Sequence, residues 1–360
     1  MADSCRYIRI RPTTNRCVTR RPRARAIIPR GLCRCLPPSR SATSPHNTFP
    51  RPSRTRSSRP AGTKRYPQCI LLLGAGGTRD SIFDLQPLFD GWWDDGTVPP
   101  MIIATPTSGL DYYMEDPAGP VRWDSFLAGD FVPHLRSTCN VCDSTVIAGI
   151  SGGGYGALKL AFMRPHLFEA VAAVQPMLEP GVRESDVGQR NRLHHSAGGP
   201  PQLVGPARDA SLWASNNPAN RARANAQKLR DSGLAIYLEA GDRDFLNAHD
   251  GTEFLHRVLW DLDLSHEFHL VRGADHGGPT MRPRLCAMFA WFGSLWNPAP
   301  LDAAAEQTAT VWLQSGMRGK PPAGATTTNA FIHFLRARFE PLRAQAAQSD
   351  PTTSRRFGQF

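Results

Sequence analysis

Gly149-Ile150-Ser151-Gly152-Gly153-Gly154-Tyr155-Gly156 is the stretch on which the reading of this chain turns. An apolar run, Thr145-Val146-Ile147-Ala148, leads into it and reads as a buried strand closed by a glycine turn. Ala157-Leu158-Lys159-Leu160-Ala161-Phe162-Met163 leads out of it as a helix, stopped at Arg164-Pro165. Gly149-x-Ser151-x-Gly153 therefore stands between a strand and a helix, the context that gives the pattern its meaning. A turn this tight leaves no room for a Cβ at the flanking positions and forces the serine into a strained conformation with its hydroxyl exposed. Such a serine is a candidate nucleophile.

A serine hydroxyl attacks only when a base takes its proton, and the base needs a carboxylate to orient it and to stabilise its charged form. Open α/β sheets carry functional residues at the carboxyl ends of their strands. Leu234-Ala235-Ile236-Tyr237-Leu238 reads as a strand ending in Gly241-Asp242-Arg243-Asp244, and Phe268-His269-Leu270-Val271 as one followed by Asp275-His276-Gly277-Gly278. Ser151, Asp244 and His276 thus each follow a strand, in the chain order Ser, Asp, His. His276 is the candidate base, ahead of His194, His195, His249, His256, His266 and His269, which read as surface or loop residues. For the carboxylate, Asp244 is preferred over Asp242, and either could instead cap the next helix. The oxyanion of an acyl-transfer intermediate needs two backbone donors. The amide of Gly152 is one. Ala75 or Gly76, in the glycine turn after the strand Cys69-Ile70-Leu71-Leu72-Leu73, supplies the other; a merely structural turn is the alternative.

Other chemistries find less support. Gly74-Ala75-Gly76-Gly77 misses the dinucleotide fingerprint, because Arg79 stands where its third glycine belongs, and no phosphate-binding G-K-[ST] loop occurs. His266-Glu267 begins like a zinc-protease helix, but Leu270 takes the second ligand position and the segment reads as a strand. Cys139-Asn140-Val141-Cys142 is a lone C-x-x-C with no second pair, so no metal site is expected, and free thiols are preferred over a local disulfide. Cys69 and Cys286 sit in apolar runs and read as core. Trp92, Trp93, Trp123 and Trp213 read as core rather than as an acyl pocket. No cofactor and no metal is expected.

The net charge of +11 is a property of one end. Residues 1–65 hold 17 Lys and Arg against one acid, Asp3, leaving 25 basic and 30 acidic residues in the rest. The folded part therefore offers nucleic acid no electrostatic footprint. No run reaches the length of a transmembrane helix. The Arg-, Pro- and Ser-rich start reads as disordered. It fits either an organelle transit peptide or translated upstream sequence, and Arg34-Cys35-Leu36-Pro37-Pro38 is a candidate remnant of an early strand. The location expected is cytoplasmic, or an organelle if that start is a transit peptide.

Further strands are read at Met101-Ile102-Ile103-Ala104 and Ala170-Val171-Ala172-Ala173-Val174, with helices over 123–135, 220–230, 253–262 and 281–296. Strands alternating with helices imply a mostly parallel sheet covered on both faces. Residues 181–212 read as a long loop or lid, and 297–360 as an extension with one helix over 329–344. The organisation expected is a tail over 1–65, a domain over 66–296 and the extension over 297–360.

With these residues in hand, the chain resembles the esterase D-like branch of the α/β-hydrolases, which includes S-formylglutathione hydrolases, feruloyl esterases and mycolyltransferases. The likeness runs from about Tyr66 to Trp296. It rests on Arg65-Tyr66-Pro67, Gly74-Ala75-Gly76-Gly77, Arg122-Trp123, the Ser151 turn, Asn216-Asn217-Pro218, Gly241-Asp242-Arg243-Asp244 and Asp275-His276-Gly277. The resemblance implies Ser151 as nucleophile, Asp244 as acid and His276 as base. It implies a cofactor-independent serine esterase acting on a small acyl ester or thioester. Acyl transfer to an alcohol, or a degenerate fold kept as a binding protein, are the rival readings. The implied partner is a small-molecule ester, with no nucleic acid and no membrane span; a homo-oligomer is left open. Two positions depart from the family pattern: Leu73 stands where a histidine is usual, and Gly152 where a side chain usually follows the nucleophile.

Overall fold

The structure is a computed structural model, and it describes residues 5–8, 65–107, 112–116, 122–191 and 210–298, with single positions 310, 335 and 341. The chain forms two units, Met1–Phe292 and Gly293–Phe360. The helix expected over 329–344, the segment 34–38 and most of both terminal regions lie outside the described residues.

The strands are β1 (Cys5–Ile8), β2 (Tyr66–Leu72), β3 (Ile102–Pro106), β4 (Val141–Ile150), β5 (Ala170–Val174), β6 (Ala235–Gly241) and β7 (Glu267–Val271). They form one sheet in the order β1-β3-β2-β4-β5-β6-β7. From β3 to β7 all neighbours are parallel, and β1 is added antiparallel to β3, with Cys5 opposite Pro106. Cys-Arg-Tyr-Ile is no apolar run, so a search for hydrophobic strands passes over β1. As an edge strand it needs to pair on one side only. β3 and β5 are buried at every position, as strands covered on both faces must be.

Helix α1 (Ser81–Asp94) was not legible, since Pro87 and Gly91 interrupt its period. It buries Phe89, Trp92 and Trp93, and Phe89 meets Phe289 edge-on at 4.8 Å. The segment expected as one helix over 123–135 runs as α2 (Trp123–Phe126), a π-turn (Leu127–Phe131) and α3 (Val132–Thr138). The helix leaving Ser151 is α4 (Gly152–Met163). Residues 181–212 are not wholly loop, because α5 (Ala210–Asn216) begins within them; 192–209 lie outside the described residues. The helix expected over 220–230 is broken at Asn225 into α6 (Pro218–Ala224) and α7 (Ala226–Ser232). Helices α8 (Ala248–Asp261) and α9 (Met281–Trp296) follow. Among the described residues no helix is long and apolar enough to cross a membrane.

The winding of the chain positions the site. After β2 the chain moves to one side to form β3, and then returns to the other side of β2 to form β4. The carboxyl ends of β2 and β4 therefore border the crevice where the winding direction switches, which is where open α/β sheets bind ligands. The loop after β2 and the turn after β4 both open there. β4 and α4 meet by backbone contact. A Cβ on Gly149 would lie 2.2 Å from the carbonyl oxygen of Gly153, and one on Gly153 would lie 2.0 Å from that of Leu72. No side chain can yield to relieve either clash. Gly153→Ala is thus expected to cost more than about 3 kcal/mol of stability, beyond ordinary overpacking. Urea unfolding of the two proteins measures it.

Candidate active site

Ser151 has φ +56° and ψ −124°, a backbone region that side-chain-bearing residues rarely occupy. The turn is held from below: its N–H donates to Val174 O at 3.1 Å, and its carbonyl accepts from Tyr155 N at 3.2 Å and Met177 N at 3.1 Å. Hydrogen bonds to β5 and its following loop thus keep a strained residue in place. The Ser151 hydroxyl lies 2.9 Å from Nε2 of His276, whose Nδ1 lies 2.7 Å from Oδ2 of Asp244. The three residues expected together from their strand-end positions meet in one hydrogen-bonded line. Asp244 is buried, and its second oxygen accepts from Leu246 N at 2.8 Å. Asp242 points elsewhere: it accepts from Gly273 N at 2.6 Å, tying the turn after β6 to the turn after β7.

The loop after β2 is a tight turn in which Gly77 N donates to Gly74 O at 2.9 Å and Gly76 takes φ +77°. Gly74 abuts the serine, since a Cβ there would be 2.9 Å from Ser151 Cβ. Ala75 and Gly76 are exposed at the tip. The amide of Gly152 opens helix α4, where backbone N–H groups have no partner within the helix.

Tyr112 and Tyr113 lie against the two departing positions, Gly152 and Leu73. They have φ +51° and +57°. A Cβ on Gly152 would lie 2.7 Å from Cδ1 of Tyr112, so this ring occupies the space that a side chain after the nucleophile would need. Tyr113 donates its hydroxyl to Leu73 O at 3.0 Å, a fully buried contact that steadies the loop at the position where histidine is usual. No sequence signal marks the pair.

A second set of residues supports His276. Gln175 has φ +42°, its N–H donates to Glu239 O at 2.6 Å, and its side chain donates to His276 O. Asp275 Oδ1 accepts from His276 N at 2.7 Å and Phe245 N at 2.9 Å. These two amides hold the Asp275 carboxyl below the usual range. Arg284 Nη1 donates to Asp275 O at 2.7 Å, while its Nε lies 2.9 Å from the Glu239 carboxylate; both side chains are buried. Burial raises the Glu239 pKa, and the Arg284 partner opposes that rise.

Buried polar groups also line the helix behind Ser151. Lys159 is wholly buried and donates to Asp124 at 2.7 Å; Arg221 donates to the other oxygen of Asp124 at 2.5 Å. Burial opposes ionisation of Asp124, but Lys159 and Arg221 outweigh it and hold that carboxyl low. One turn earlier, buried Tyr155 faces Glu179. The Asn217 amide donates to Glu179 Oε2 at 3.3 Å and to Gly181 O at 3.2 Å, while its Oδ1 caps α6 through Asn220 N. Asn216 exchanges hydrogen bonds with the backbone of Glu115, whose carboxylate caps α2 through Asp124 N at 2.8 Å. Arg122-Trp123 and Asn216-Asn217-Pro218 thus belong to one polar frame around α4.

The remaining candidates fall outside the line. His256 and His266 bond to each other at 2.7 Å, His249 lies by Asp250, and His269 by Glu267. His194 and His195 lie outside the described residues. Cys69 and Cys139 are buried, Cys142 and Cys286 half-buried, and all four are free thiols.

The family model Esterase, described as "Putative esterase", matches residues 52–292. The chain belongs to this family. It is an ester hydrolase, with the α/β-hydrolase fold. A solved ferulic acid esterase is similar to it at 20% identity, covering 63% of this chain and 84% of its own, with a TM-score of 0.50, a likeness of fold. An S-formylglutathione hydrolase from Staphylococcus aureus is 15% identical over 64% of this chain and 84% of its own, at a TM-score of 0.49. One from Agrobacterium tumefaciens is 13% identical over 64% and 83%, at 0.47. No curated protein matches the chain.

Two tests follow from the buried groups. Burial pushes the Glu179 carboxyl up to about 8. The folded form therefore holds a proton that the unfolded chain releases above the ordinary glutamate range, and stability falls as pH rises from about 4.5 to about 8. Glu179→Gln is expected to flatten this decline by several kcal/mol, read from urea midpoints at pH 5 and pH 8. Arg284→Met leaves Glu239 as an unpaired buried charge and is expected to cost about 3–5 kcal/mol in the same assay at pH 7.

Proposed function

We propose that this ester hydrolase is a serine carboxylesterase that cleaves a small acyl ester or thioester through an acyl-enzyme intermediate. The observation that carries the reading is the line from Asp244 through His276 to Ser151, built on a serine with φ +56°. Ser151 Oγ attacks the acyl carbon as His276 Nε2 takes its proton. Asp244 keeps the other ring nitrogen protonated and balances the imidazolium charge. The amide of Gly152 and one from Ala75 or Gly76 face the oxyanion, where fixed dipoles act most strongly on developing charge. His276 then returns the proton to the leaving oxygen or sulfur as its bond to the acyl carbon breaks. Water adds to the acyl-serine by the same route, releasing the acid and restoring Ser151.

Hydrolysis of p-nitrophenyl esters from acetate to octanoate, by wild type and Ser151→Ala, tests this. Wild type is expected to turn over, with kcat falling by roughly four to six orders of magnitude in the variant. The preferred chain length sizes the acyl pocket. A wild-type protein that turns over none of these esters, and whose Ser151 takes no fluorophosphonate label, would sink the reading.

A further inference from the structure

Phe245 is the residue at the site whose placement the reaction above leaves unexplained. It is 70% exposed, although it lies between Asp244, bonded to the imidazole, and the turn leading into α8. Its ring stands perpendicular to that of His276, with centroids 5.9 Å apart. Trp260, another exposed aromatic residue, instead meets His256, with ring centroids 6.1 Å apart. Water gains nothing from covering a phenyl ring, so an apolar surface here is favourable to cover.

The backbone that carries the ring is also held in place. One oxygen of Asp275 accepts from the amides of both Phe245 and His276, at 2.9 and 2.7 Å. Asp244, its chain neighbour, is fixed by its own bonds to His276 Nδ1 and Leu246 N. The backbone that carries the ring and the backbone that carries the base are thus joined through one carboxylate. Contact with a residue on a fixed backbone costs less ordering than contact with one on a mobile loop.

Chemistry says which part of an ester meets it. A general acid must reach the oxygen that departs, so the leaving group begins at Nε2 of His276, on the ring that Phe245 faces. We propose that Phe245 is a specificity-determining residue that packs against the leaving group, selecting an uncharged, apolar and preferably aromatic alcohol portion of the ester. The Asp275 carboxylate beside it disfavours an anionic one. The inference rests on the esterase reading and adds the alcohol side, which that reading leaves open.

The test holds the acyl group constant and varies the alcohol. Benzyl, 2-phenylethyl and ethyl acetate, whose leaving alcohols differ little in reactivity, are assayed with wild type, Phe245→Ala and Phe245→Leu. The ratio of kcat/KM for benzyl over ethyl acetate is expected to fall about tenfold in Phe245→Ala, mainly through KM, the scale at which an apolar contact discriminates. Phe245→Leu should retain part of that preference. Thermal melts identify any variant that fails to fold, and the leucine variant then carries the comparison. An unchanged ratio in folded proteins that still turn over and still label at Ser151 overturns this inference alone. Absence of both turnover and labelling in wild type overturns the esterase reading, and this inference with it.

Discussion

The turn between β4 and α4 can form only if two segments of main chain approach more closely than any side chain allows. A Cβ on Gly153 would lie 2.0 Å from the Leu72 carbonyl, so the start of the helix rests directly on the end of the neighbouring strand. That contact sets the height of Ser151 above the sheet, and with it the distance to a histidine that arrives 125 residues later. It also brings the loop after β2 against the serine, because the strand that Gly153 touches is the one that runs into Gly74. Candidate nucleophile and candidate oxyanion donors therefore share one packing constraint rather than two independent ones.

A strained serine persists only if its surroundings over-determine it. Here they do so with polar groups as well as apolar ones. Helix α4 presents Tyr155 and Lys159, one turn apart, to a buried frame of Asp124, Arg221, Glu179 and Asn217. Burying ions costs free energy that an apolar core would not demand, and such pairs are weak evidence of net stability. What the pairs do provide is fixed geometry. Each carboxylate or amide joins chain segments far apart in sequence, as Asn217 joins α6 to the loop after β5. The candidate base is held by the same device: Gln175, Asp275 and the Glu239–Arg284 pair tie the loop of His276 to its neighbours.

Much of the site was legible because its parts are local. Ser151 and Asp244 each follow a short apolar run and His276 a shorter mixed one, all closed by glycine-containing turns, and the end of a strand is a position that pattern alone reveals. Asp275 was within reach of the same reasoning, since it adjoins the candidate base. Tyr112, Gln175 and Glu179 were not: they sit in irregular loops where neither period nor spacing distinguishes a supporting residue from an ordinary one. In the fold, α1 was hidden by Pro87 and Gly91, and β1 by the absence of an apolar run, while the breaks within 123–138 and at Asn225 interrupt the backbone without altering the apolar pattern. The choice between Asp242 and Asp244 was open in the sequence, because both occupy one turn. In the tertiary structure Asp242 turns toward Gly273 and Asp244 toward His276.

The sequence by itself determined the fold class, the parallel sheet and the identity of the residues at three strand ends, because hydrophobic period and glycine turns act within a few residues of each other. Only the tertiary structure decided which groups face those residues. It placed the Tyr112 ring in the space that Gly152 leaves, put a single Asp275 oxygen between two amides, and left Phe245 exposed beside the base. These are contacts between loops that the sheet brings together, and their geometry depends on strand order and winding, which no local pattern encodes.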